Sequence, residues 1–242
     1  MSTPVLLSGK GPSGRSLLQR VWRRIKYGLL LQEVFDRFAR AGIVIYPYLV
    51  ASESVDDRAA APDGEGFTLR LLTLGDIGDM VAMRGERVTE SRLRALLARA
   101  ICLGAFRDGQ LAGYTWARFD AVPIVFTRGH PLFALGPADA YLFDMFVATP
   151  YRGHRLAGVL RRALQREVGS RGRTNIYSIT VAFNRSSRRF KSRLGARDVE
   201  MRLYLHLMPT RLPGCDLRVW RREPRPPTRR FVRVPPRAKR VD

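Results

Sequence analysis

The chain has 242 residues, of which 45% are hydrophobic, and carries a net charge of +22. That is enough apolar material for one substantial core with appendages, and it argues against two full domains. Two cysteines in unrelated contexts, Cys102 and Cys215, exclude a disulfide scaffold or a cysteine zinc site. No apolar run is long enough to span a bilayer or to act as a cleavable signal, so the expectation is a cytoplasmic protein, with charge that suits the inner face of a membrane.

Residues 1–41 carry 8 basic and 2 acidic side chains, a net +6. Within them, Leu18, Val21, Trp22, Ile25, Leu29, Val34, Phe35 and Phe38 keep a helical period from Ser16 to Ala41, which predicts a basic amphipathic helix. Docking on the main domain is the common use of such a stripe, and an anionic membrane surface is the other. IVIYPYLV (Ile43 to Val50) predicts a strand interrupted by Pro47, hence an edge or bent strand, and Ser52 to Gly66 predicts a polar loop. The domain proper is placed at 67–208, between an N-terminal part at 1–66 and a basic, proline-rich tail at 209–242.

In that domain Phe67 to Thr73 predicts a strand, Gly75 to Met83 a short helix, and Thr89 the cap of a helix from Glu90 to Ala100. Ile101 to Arg107 and Gln110 to Phe119 flank Asp108-Gly109, a pair suited to a type I′ hairpin turn. Ala121 to Ala138 reads as a long connection containing His130. The run from Phe143 to Val147, with Asp144 inside it, suits a strand buried on both faces. Pro150 and Gly153 then lead into a helix with Leu156, Ala157, Val159, Leu160 and Leu164 on one face and Arg161, Arg162, Gln165 and Arg166 on the other. A helix N-terminus offers unpaired amides and partial positive charge to a phosphate, and Arg152, His154 and Arg155 add to that field. A strand from Asn175 to Phe183, a basic helix from Asn184 to Arg193 and a strand from Met201 to Leu207 complete the order.

This order resembles the GNAT superfamily of acyl-CoA-dependent N-acyltransferases over Phe67 to Leu207. Two motifs carry the resemblance. VATPYRGHRLA (Val147 to Ala157) is similar to the family's pyrophosphate turn, and NRSSRRFKSRLGA places Asn184, Phe190 and Leu194-Gly195 where the family has Asn, an apolar residue and Leu-Gly. The resemblance implies a mixed α/β (α+β) fold with splayed central parallel strands. It also implies acetyl-CoA as co-substrate, held by Phe146, Val147, Arg152, Gly153, His154, Arg155, Leu156, Ala157, Asn184 and Ser187, with the Val147 amide on the thioester carbonyl and no metal. Two departures stand out: Arg155 replaces a glycine of the turn, and Lys191 replaces the tyrosine that in many members protonates the departing thiolate.

An attacking amine must lose a proton. Asp144 is the first candidate base, since a carboxylate buried without a partner would have a raised pKa; a structural aspartate hydrogen-bonded to a neighbouring element is the alternative. Tyr141 and His130 follow it. The expected activity is acetyl transfer to an amine, for which an amino sugar of envelope polysaccharide assembly is one acceptor class. The competing reading is a non-catalytic relative or basic module for nucleic acid or anionic surfaces, although Trp220 and Phe231 give the tail little for base stacking.

Overall fold

The computed structural model describes residues 29–55, 66–85, 88–123, 131–207 and 215–222. Helix α1 (Leu29–Arg40) leads into strand β1 (Ile43–Ser54), then β2 (Thr68–Leu71), α2 (Ile77–Arg84), α3 (Glu90–Leu97), β3 (Ala100–Arg107) and β4 (Gln110–Arg118). After these come β5 (Ala121–Pro123), β6 (Pro131–Ala134), β7 (Asp139–Val147), α4 (Leu156–Gly169), β8 (Asn175–Val181), α5 (Arg185–Arg193), β9 (Arg197–Leu207) and β10 (Cys215–Arg221). Eight strands form one sheet in the order β10-β9-β1-β8-β7-β4-β3-β2, and β7 with β8 is its one parallel pair among the described residues. The β3–β4 hairpin turns at Asp108 (φ 51°) and Gly109 (φ 76°), the two positive φ values that a type I′ turn requires.

Helix α4 covers one face of the sheet. Its Leu156, Leu160, Leu164 and Val168 are buried against Leu103, Ala112, Leu142 and Ile176, each such side chain stabilising the fold by about 1.5–3 kcal/mol. Gly113 lets β4 and β7 meet beneath this helix, because a Cβ there would stand 2.7 Å from the Phe146 carbonyl oxygen. The opposite face is covered by α2 and α3, whose Ile77, Met80 and Leu93 pack on Cys102, Tyr114 and Trp116. Beside them the β5–β6 ribbon packs Val122, Leu132 and Phe133 on Tyr48, Tyr141 and Tyr177.

Several sequence expectations change. β1 is a lone edge only at its start: from Tyr48 onward it pairs with β8 on one side and β9 on the other. Pro47 is tolerated because it sits where β8 ends. Its carbonyl still accepts the Ala182 amide at 3.0 Å, and the Ala182 carbonyl takes Arg188 Nη1 at 3.4 Å instead of a proline N–H. The strand runs on to Ser54, into the supposed loop, so a boundary at residue 66 cuts through one sheet. Residues 215–221, read as tail, form β10 on the sheet's edge, held where Arg202 Nε meets Asp216 Oδ2 at 3.1 Å. The connection over 121–138 contains β5 and β6. Trp22, Ile25, His130 and Phe231 lie outside the described residues.

Candidate active site

β7 and β8 pair only from Asp139 to Tyr141 against Asn175 to Tyr177. Beyond that point β7 follows β4 and β8 follows β1, so the two strands part and leave a cleft in the sheet. Backbone direction along a strand alternates, which fixes what faces the cleft. The Ala148 amide donates to Ala112 O at 2.9 Å, on the β4 side, and therefore the N–H and C=O of Val147 face the cleft. By the same alternation the Ala182 amide points to β1, and the carbonyl of Ile179 faces the cleft from β8. Midway along β7 the residues Asp144 and Met145 oppose the single Thr115, a bulge in which Asp144 takes φ 45°.

On the α2 face of the cleft, Asp144 Oδ1 accepts from Arg84 Nη2 at 3.1 Å. The Arg84 guanidinium in turn lies over the Phe146 ring at 4.7 Å. Asp144 thus has a partner on a neighbouring element, the geometry of the alternative reading: the bulge turns it outward, and its side chain is 36% exposed and ion-paired. Tyr141 is buried, its ring stacked on Phe143 at 5.5 Å, and burial pushes its phenol pKa upward, away from service as a base at neutral pH.

On the α4 face stands Lys191. Its Nζ donates to the cleft-facing Ile179 carbonyl at 2.9 Å and to Thr180 Oγ1. Burial and the nearby Arg161 guanidinium lower its pKa to about 7, against the opposing pull of Glu53 and Asp198. Arg161 and Glu53 form an ion pair buried beneath α4, with Arg161 Nη2 donating to Glu53 Oε1. Burial also lowers the Arg161 pKa. Glu53 Oε2 and Arg161 Nε are buried with no hydrogen-bond partner among the described residues. The assignment of Arg161 and Gln165 to the solvent side of the helix is therefore corrected: both are buried. Arg161 stands three residues before Leu164 and Gln165 four after Arg161, so the two share one row that borders the apolar stripe, and the spacing contained that signal. Glu53 had no such signal, because its partner is 108 positions away.

The mouth of the cleft is the turn before α4. Gly153 has φ 94° and Arg155 has φ 58°, so the arginine adopts the left-handed conformation that a glycine would take without strain. The turn thereby keeps its shape, and the amides of Leu156 and Ala157 open the helix with no carbonyl one turn behind them to accept them. Leu156 itself is core, so only its backbone can serve a ligand. His154 and Arg155 are exposed, and Arg152 Nε donates back to the Val147 carbonyl at 3.1 Å. On α5, Asn184 Oδ1 accepts the Ser187 amide at 2.9 Å. Asn184 is therefore a helix cap, and its oxygen and that amide are engaged with each other. Among the described residues, no three or more His, Cys, Asp or Glu side chains are grouped to hold a metal.

The sequence profile of the acetyltransferase (GNAT) family matches residues 80–196, a span that holds β7, β8, α4, α5 and so the whole cleft. No curated protein sequence matches the chain. Among solved structures, a GCN5-related N-acetyltransferase from Sphaerobacter thermophilus is 17% identical with a TM-score of 0.52, over 77% of this chain and 57% of that one. A GCN5-related N-acetyltransferase from Kribbella flavida is 12% identical with a TM-score of 0.50, over 72% of this chain and 63% of that one. A Drosophila protein is 19% identical with a TM-score of 0.52, over 74% of this chain and 57% of that one. The likeness is one of fold, and the chain spans between 57% and 63% of the length of these three proteins.

Proposed function

We propose that this chain, which carries an acetyltransferase domain of the GNAT family at residues 80–196, is an N-acetyltransferase that uses acetyl-CoA as co-substrate and an amine as acceptor. The observation that carries the reading is the parting of β7 from β8, with the Val147 amide facing the opening and the N-terminus of α4 at its mouth. A strand edge inside a sheet suits the amides of a pantetheine arm, with the Val147 N–H as its donor while the Val147 and Ile179 carbonyls are held by Arg152 and Lys191, and an open helix start suits a pyrophosphate. Acetyl-CoA supplies an activated acyl group as its thioester. In this reading Phe146 and Val147 hold the arm, the Val147 amide polarises the acyl carbonyl, and Arg152, Gly153, His154, Arg155, Leu156 and Ala157 hold the phosphates, largely through backbone.

The two faces of the cleft divide the proton chemistry. Asp144, positioned by Arg84, receives the proton that the attacking amine gives up on the α2 face. Lys191 supplies a proton to the leaving sulfur from the α4 face. Two of its N–H bonds are fixed on Ile179 and Thr180, which leaves the third free to point into the cleft. An ammonium with a pKa of about 7 is more acidic than a thiol at ~8.5, so transfer to the departing sulfur runs downhill. This lysine thus fills the role left open by the missing tyrosine.

Thermal-shift measurements of the full chain with acetyl-CoA, longer acyl-CoAs and free CoA test the reading. A ligand at a hundred times its Kd adds about 2.7 kcal/mol. Absence of any shift at millimolar acyl-CoA would sink it.

A further inference from the structure

A groove of about 750 Å³ runs between α5 and the chain ends of β9 and β10. Among the described residues it is lined by six arginines and one carboxylate, Asp198, which already binds Arg188 at 3.0 Å; Lys191 also borders it, but its Nζ turns away to Ile179 and Thr180. The other acids of these strands do not neutralise it, since Glu200 and Asp216 hold Arg202 and Arg218. Arg185, Arg189 and Arg193 recur every four residues along α5 and so form one row on its surface. Arg197, at the start of β9, and Arg222, just past β10, stand with them. Like charges at this spacing destabilise a helix, so the row is not explained by the folding of α5.

The make-up of the lining narrows what it can bind. The cations that face it are arginines, whose planar forks match phosphate oxygens in pairs and are weakly hydrated. Among the described residues Ala196 is the one aliphatic residue in the lining, which offers little to bury in lipid as a membrane-surface site requires. An extended helix row facing a second basic wall suits a chain of phosphates better than a single one. We propose that the groove between α5 and the β9–β10 ends binds a chain of phosphate groups, either the backbone of a single-stranded nucleic acid or inorganic polyphosphate, at a place separate from the turn before α4.

The test uses the full chain and the triple variant Arg193→Gln, Arg197→Gln, Arg222→Gln, which leaves Asn184, Ser187 and the turn untouched. Binding to a fluorescent single-stranded oligonucleotide is measured from low to high salt, with inorganic polyphosphate and anionic phosphatidylglycerol vesicles as separate arms. The variant is expected to bind the oligonucleotide or polyphosphate at least tenfold more weakly. Three lost phosphate contacts should also flatten the salt slope by about 2 for a single strand. Whichever of the two is weakened more identifies the source of the phosphates, while vesicle binding is expected to change less than twofold. Unchanged oligonucleotide and polyphosphate binding would overturn the proposal, as would a loss confined to vesicles. Displacement of the oligonucleotide by stoichiometric CoA would assign the groove to CoA and overturn it too. The acetyltransferase reading is scored apart from this, by the thermal shift with acetyl-CoA.

Discussion

The two faces of the β7–β8 cleft hold charge in opposite ways. On the α2 face Asp144 is partly exposed and held by Arg84 at 3.1 Å, so its charge has a partner and access to water. On the α4 face Lys191 is partly buried, its neighbours include a second cation, and its pKa falls to about 7. Burial with an opposing partner steadies a charge, whereas burial beside a like charge loosens a proton. In the proposed mechanism the carboxylate accepts a proton and the ammonium loses one.

The largest expected effect comes from removing the loosened proton. Lys191→Met keeps the length of the stem but has nothing to donate, and turnover should fall on the order of 10²-fold or more while acetyl-CoA still raises the Tm. Turnover of the native chain should decline as pH rises through about 7, where Lys191 becomes neutral. Stability should move the other way. A lysine whose pKa is lower folded than unfolded makes the fold less stable when protonated, so stability rises with pH between about 7 and the ordinary lysine value. Denaturant titrations should accordingly show Lys191→Met ahead of the native chain at pH 6, with the gap closing toward pH 10. A constant gap would mean that Lys191 is not perturbed.

Asp144→Asn should lower turnover by roughly tenfold or more with CoA affinity unchanged, which a paired measurement of kcat and Kd would show. An equal effect from Arg84→Met would fit Arg84 as the residue that positions Asp144, and no effect from either would remove the α2 face from the chemistry. Asn184→Ala should cost about 1 kcal/mol of stability through loss of the α5 cap, read by chemical denaturation, with CoA affinity intact. Smallest is Arg155→Gly. Relief of the left-handed strain at φ 58° should stabilise the fold by up to about 1 kcal/mol. A loss of CoA affinity in that variant would show that the guanidinium touches phosphate.

The parts of this picture that local pattern controls were legible in the sequence. The β3–β4 turn followed from Asp108-Gly109, the cap of α3 from Thr89, whose Oγ1 accepts the Arg92 amide at 3.4 Å, and the strand–turn–helix at the cleft mouth from Phe143 to Leu160. What escaped was set by distant pairing. Pro47 argued for an edge strand, and that holds only until β8 arrives at Tyr48. The tail concealed β10 because Leu217 and Val219 are exposed and offer no buried stripe; the strand forms through its ladder with β9. Lys191 could be read as a missing tyrosine, but its hold on the Ile179 carbonyl depends on α5 lying over β8. Asp144 looked buried because alternation along a strand was assumed, and a bulge breaks that alternation.

The most direct test of the central claim is amide-resolved hydrogen exchange on the full chain with and without acetyl-CoA. If the cleft takes the acyl donor, exchange at Val147, Leu156 and Ala157 should slow strongly, while amides of the distant β3 should be unaffected. Slowing confined to α5 and the β9–β10 ends, with Val147 exchanging as before, would contradict it.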